Sequence, residues 1–87
     1  MVEFRNGEPQ WRRDVEVWRQ ISAEIRKRIK EGIYKPGHML SQNGVAQEFG
    51  VAPNTVRKAF ADLREKGLIY TRLRLGNFVG PEPEDDE

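Results

Sequence analysis

Residues 40–68, LSQNGVAQEFGVAPNTVRKAFADLREKGL, decide how the rest of the chain is read. The stretch divides into two short helices hinged at Gly50-Val51-Ala52, and the second carries Pro53, Asn54, Thr55, Arg57 and Lys58 at or near its start. Hydrogen-bonding side chains are wanted at that place in a recognition helix, whose N-terminal residues meet base edges in the major groove. The pattern predicts a DNA-binding helix-turn-helix.

Local chemistry supports the two helices. Ser41 or Asn43 can cap the first, since a short oxygen-bearing side chain accepts an orphan backbone N–H. Val45, Ala46 and Phe49 give it an apolar face, and Gly50 ends it. The second begins at Ala52-Pro53, with proline in the first turn where its missing N–H is harmless, although Ala52 is a poor cap. Val56, Ala59, Phe60 and Leu63 form its buried stripe and Gly67 closes it. Arg57 is one step from Val56, about 100° around the helix, so its guanidinium leaves the flank of the core. A plain solvent-facing arginine is the alternative reading; Asn54 and Thr55 on the same turn favour groove contact.

Towards the N-terminus, Trp18, Ile21, Ile25 and Ile29 are spaced by three, four and four residues, which predicts an amphipathic helix from about Val15 to Glu31. Gly32 is its stop signal, and Lys35-Pro36-Gly37 marks a turn. The basic run from Arg26 to Lys30 reads as a solvated face. His38, without Cys, His or carboxylate neighbours, is assigned no function. Residues 1–14 are polar and aperiodic and contain Gly7 and Pro9, so an extended or disordered arm is expected. Trp11 is its exception, and docking on the first helix is favoured because a ring carries a large burial gain.

Towards the C-terminus, LIYTRL at 68–73 and Phe78-Val79 after Gly76-Asn77 are β-prone and read as a hairpin. A hairpin directly after a recognition helix is a wing, and Arg72 and Arg74 near its tip suit a minor groove or phosphate. The final PEPEDDE, with prolines and repelling charges, resists folding. Residues 81–87 are expected as an acidic tail or the start of a linker, able to compete with DNA for the basic face.

Composition narrows the function classes. A chain of 87 residues allows one domain, placed at 15–80. There is no cysteine and one histidine, so disulfides and thiolate or His-cluster metal sites are excluded, and no cofactor is expected. No phosphate-binding Gly-rich loop is present and carboxylates cluster only in the tail, so an enzyme is not expected. No apolar run approaches the roughly 20 residues that span a bilayer, and the N-terminus lacks a signal-peptide segment; a cytoplasmic protein without membrane contact follows. The net charge of +1 comes from 15 Lys+Arg against 14 Asp+Glu, but five of those acids lie in residues 82–87. Setting them aside leaves 15 against 9, a body of +6 suited to a polyanion.

A family resemblance covers roughly residues 15 to 80. Trp18-Arg19-Gln20-Ile21, Lys35-Pro36-Gly37, Leu40-Ser41, Val45-Ala46, Phe49-Gly50-Val51, Thr55-Val56-Arg57-Lys58-Ala59, Gly67-Leu68-Ile69 and Gly76-Asn77-Phe78-Val79, in this order and spacing, resemble the N-terminal winged helix-turn-helix domain of GntR-family bacterial transcription regulators. The resemblance implies a mainly α fold of three helices with a small antiparallel β-sheet, a homodimer at least on DNA, and near-palindromic double-stranded operators. It carries base or backbone contact over to Asn54, Thr55 and Arg57. The candidate DNA-binding set is Ser41, Asn43, Pro53, Asn54, Thr55, Arg57, Lys58, Arg72, Arg74 and Gly76.

The chain also departs from the family pattern. Asn43 stands where a basic residue is usual, Ala52 and Pro53 where serine and arginine are usual, and Arg74 replaces the first glycine of the wing's Gly-x-Gly. Family members usually add a C-terminal domain that binds an effector and dimerises, and nothing in these residues is expected to serve as one. The resemblance is compatible with a DNA-binding fragment of a longer regulator or with a small stand-alone protein. A transcription regulator, more naturally a repressor, is the first expectation; a winged helix used for protein interaction, such as a plasmid or phage accessory factor, is the alternative.

Overall fold

A computed structural model describes residues 3–84 of the chain. Their order is β1 (Glu3–Arg5), β2 (Glu8–Gln10), α1 (Val17–Lys30), β3 (Met39–Leu40), α2 (Gln42–Phe49), α3 (Pro53–Glu65), β4 (Ile69–Arg72) and β5 (Gly76–Val79). Three helices beside an antiparallel sheet of order β3-β5-β4 make the expected winged helix-turn-helix.

The helical stripes read from the sequence are the ones that meet. Ile21 and Ile25 of α1 are fully buried, as are Val56, Ala59 and Leu63 of α3, with Phe60 nearly so, and α1 packs chiefly on α3. Val45, Ala46 and Phe49 of α2 and Leu40, Ile69 and Val79 of the sheet complete one core. α1 begins at Val17 rather than Val15 because the Val15 carbonyl accepts the Gln20 side chain at 2.9 Å. Its end is set by Gly32 at φ 77°, a left-handed turn that brings the Ile33 N–H within 2.9 Å of the Arg28 carbonyl.

Within the N-terminal arm, residues 3–10 pair as a two-stranded hairpin. Asn6 (φ 54°) and Gly7 (φ 79°) form the two-residue connection between Arg5 and Glu8. Two successive positive φ angles are what a type I′ turn requires, and Asn-Gly supplies them at low cost. The hairpin is held by aromatic contact, with the Phe4 and Trp11 rings each 5.9 Å from that of Phe49. Trp11 therefore docks, but on α2 rather than α1. The link to α1 is polar: the buried Gln20 side chain accepts from the Arg12 N–H and donates to the Arg12 carbonyl, both at 2.9 Å.

The run Arg26 to Lys30 is also not a uniform solvated face. Arg26 and Lys30 are exposed, but Arg28 turns inward over the Phe49 and Tyr34 rings. It donates to Glu24 at 3.1 Å, Glu48 at 2.7 Å and the Tyr34 hydroxyl at 2.6 Å. Burial works against its charge, yet the hydrogen bonds it donates to Glu48, Tyr34 and Glu24 prevail and hold it above the ordinary arginine range. A period count places a residue on a face without saying that its neighbours bend it back.

Two smaller differences shape the wing. Met39 and Leu40, outside the hairpin read from the sequence, pair with Phe78 and Asn77 and so cover the free edge of β5. Leu68 and Leu73 lie outside β4, while Gly76 and Asn77 belong to β5. After β5 the Gly80 N–H bonds the Leu68 carbonyl at 2.9 Å, and residues 81–84 form neither helix nor strand. Residues 85–87 of the acidic tail and residues 1 and 2 of the arm lie outside the described residues. No helix among the described residues is long and apolar enough to cross a membrane.

Candidate nucleic-acid interface

The starts of α2 and α3 are brought together. Ser41 is the cap of α2, its hydroxyl accepting from the Gly44 N–H at 3.1 Å. Asn43, the other capping candidate, is instead exposed in the first turn. The Gln42 side-chain amide donates to the Pro53 carbonyl at 3.1 Å, tying one helix start to the other. At α3, Ala52 makes no side-chain cap; Pro53 stands at the first helical position and the Thr55 N–H closes on the Ala52 carbonyl at 3.0 Å. Asn43 and Pro53 line one shallow groove with Gln47 and Gly50.

Asn54, Arg57 and Lys58 are exposed on α3, and Thr55 is half-buried. The Arg57 guanidinium donates to Asn54 Oδ1 at 2.5 Å, one turn back along the helix. An amide oxygen orients the fork without neutralising it. Guanidinium carries five N–H donors, so enough remain for a bidentate contact with a guanine edge or a phosphate.

The wing residues divide. Arg74 stands in the turn at φ 70°, between Leu73 and Leu75, which are 87% and 65% exposed. Left-handed backbone is uncommon for a residue with a side chain, and non-glycine examples concentrate where function needs them. Arg72 is less available than its sequence position suggests. It is half-buried, lies 5.8 Å over the Tyr70 ring, and pairs with Glu82 at 3.0 Å. Gly76, its cross-strand partner, has φ 123°, a geometry that strains any other residue. Its part is to shape the hairpin.

Other charged groups serve the scaffold. Ser22 Oγ donates to Asp62 Oδ2 at 2.6 Å and Lys66 donates to the same oxygen at 3.0 Å, linking α1 to α3. Ser22 first and then Lys66 hold the Asp62 carboxyl below the usual aspartate range, against the opposing effect of partial burial. His38 stacks on Tyr34 with ring centres 4.8 Å apart. Among the described residues no three His, Cys, Asp or Glu side chains gather into a set that could hold a metal ion.

Sequence reasoning missed two polar contacts near these residues. Gln42 was invisible because its partner is a carbonyl on another helix. Arg64 carries no local sequence signal, yet its guanidinium reaches Thr71 Oγ1 at 3.2 Å across to the wing.

Comparison with known proteins agrees with this geometry. The family described as bacterial regulatory proteins, gntR family, matches residues 18–79. An uncharacterised HTH-type transcriptional regulator of Rhizobium meliloti (strain 1021) is 45% identical over 66 residues, covering 75% of this chain and 27% of the relative. The HTH-type transcriptional repressor NagR of Bacillus subtilis (strain 168) is 33% identical over 66 residues, with the same coverage of 75% and 27%. The chain thus spans about a quarter of the length of these curated relatives. Among solved structures, the AraR DNA-binding domain in complex with operator ORX1 superposes with a TM-score of 0.71 at 34% identity, covering 76% of this chain and 81% of that one. A GntR family transcriptional regulator from Listeria monocytogenes gives a TM-score of 0.75 at 30% identity, covering 79% and 61%. The chain belongs to the gntR family of bacterial regulatory proteins and has the family's winged helix-turn-helix fold.

Proposed function

We propose that the protein is a sequence-specific DNA-binding transcription regulator, acting as a repressor in the cytoplasm. The start of α3 reads an operator half-site in the major groove, and the basic wing lies against the neighbouring backbone or minor groove. The observation that carries this reading is Arg57, exposed at the opening of α3 and aimed by the neutral Asn54 side chain. A cation oriented without being neutralised is arranged for an acceptor outside the chain. Relatives named as repressors, and a similar domain solved with its operator, support the same reading.

In this account Asn54, Thr55, Arg57 and Lys58 approach bases and phosphates from α3, with Pro53 setting the helix start. Ser41 and Asn43 approach from the first turn of α2, and Arg74 from the wing tip. One module presents one recognition helix, and half-sites about one helical turn apart are met by two copies; the protein accordingly binds as a homodimer on DNA. The test is Arg57→Ala on a duplex carrying the preferred site. It should cost about 1 to 3 kcal/mol and relax specificity at one position. Equal affinity of both proteins for that duplex would reject the assignment.

A further inference from the structure

Arg64 follows Arg57 by seven residues on α3. At about 100° and 1.5 Å per residue, seven steps return to within about 20° of the same face, some 10 Å further along. Arg64 thus shares the outward face of Arg57, two turns beyond it along α3 and next to the wing. Its Nη1 donates to Thr71 Oγ1 at 3.2 Å and lies 3.4 Å from Asn77 Oδ1, while Thr71 Oγ1 donates to Asn77 Oδ1 at 2.7 Å. Thr71 and Asn77 are cross-strand partners of β4 and β5, so this one side chain spans the junction of recognition helix and wing.

The partners of Arg64 are neutral. Ion pairs among the described residues engage Arg5, Arg12, Arg19, Arg28, Lys66 and Arg72. Arg57 and Arg64 share a different arrangement: an exposed guanidinium held by amide or hydroxyl oxygens. Fixing a long side chain costs conformational entropy, and exposed neutral hydrogen bonds offset little of that cost. A phosphate diester offers such a fork two charged oxygens, which bind it more strongly than the neutral acceptors do.

We infer that Arg64 is a phosphate-binding residue, which engages the DNA backbone between the major-groove contact of α3 and the wing. The inference rests on the DNA-binding reading above. Its contact is with backbone and not with bases, so it contributes affinity to every sequence alike.

The experiment compares wild type, Arg64→Gln and Arg64→Lys by titration against a mixed-sequence duplex several turns long, across a salt series, with thermal melting of each protein recorded alongside. Losing one phosphate contact should lower the slope of log K against log salt by about 0.9. Arg64→Gln should show that loss with weaker binding, while Arg64→Lys keeps the slope, and both melt close to wild type. If Arg64→Gln binds with unchanged slope and affinity, Arg64 is only a brace between helix and wing and the inference is overturned. A weaker Arg64→Gln complex with the wild-type slope has the same meaning. If wild type itself shows no salt-dependent binding, the DNA-binding reading falls and takes this inference with it.

Discussion

At the residue scale, the chain uses arginine in two distinguishable ways. Arg28 is surrounded by Glu24, Glu48 and three aromatic rings and serves the scaffold. Among the described residues, Arg57 and Arg64 are held by neutral oxygens at the surface. Sequence separates these cases poorly, because Glu48 is 20 residues from Arg28 and Phe4 is further still. Arg57 was legible because position, neighbours and residue type agree within one helical turn. Arg64 was not, since its partners arrive only when β4 and β5 fold back beside α3. Phe49 was legible as core but not as a hub, because Phe4 and Trp11 reach it from an arm that carries no periodic signal. Phe49→Ala should therefore lower unfolding free energy by about 3 to 5 kcal/mol, at the cost typical of a buried aromatic. Urea denaturation followed by tryptophan fluorescence would measure it, and a loss below about 1 kcal/mol would show that the hub carries little.

At the element scale, α1 and α3 are joined by a polar tie as well as by their apolar stripes. Asp62 has a lower pKa folded than the unfolded value of about 3.9. A group depressed in this way adds stability that is fully present above the unfolded value and is lost as pH falls through the folded one. Denaturation midpoints should hold between about pH 7 and 5 and decline below about pH 4, and Asp62→Asn should flatten part of that decline. Identical acid profiles for the two proteins would remove Asp62 from the account. The wing carries a second electrostatic element, the Arg72 pair with Glu82. A surface pair of this kind is worth at most about 1 kcal/mol, so Glu82→Gln should tighten binding to DNA by up to about fivefold at low salt. Unchanged affinity at every salt concentration would show that the tail does not compete for the wing. The helices and the wing were legible as elements because stripes, Gly50, Gly67 and Gly76 mark them. The pairing within the arm was not legible because its Asn6-Gly7 turn signal stands between strands of three residues without alternating apolar positions.

At the scale of the whole molecule, one core built from three helices and a three-stranded sheet carries α3 and a wing at its surface. The order of elements was legible because each apolar stripe is bounded by its own turn signal. What the sequence left open is how the charges are partnered, since ion pairs form between segments that no local pattern connects. Two copies are expected on a near-palindromic site, and sedimentation with and without such a duplex would show it; a strict one-to-one complex on a selected palindrome would oppose it. Whether the start of α3 reads bases is decided by selection of bound sequences from a random duplex library. Wild type and Arg57→Ala are run in parallel at one near-physiological salt concentration, because non-specific attraction varies steeply with salt. Enrichment of a short, near-palindromic motif by wild type and its loss in Arg57→Ala is the predicted result. Enrichment of no motif by wild type, or of the same motif by both proteins, would contradict it.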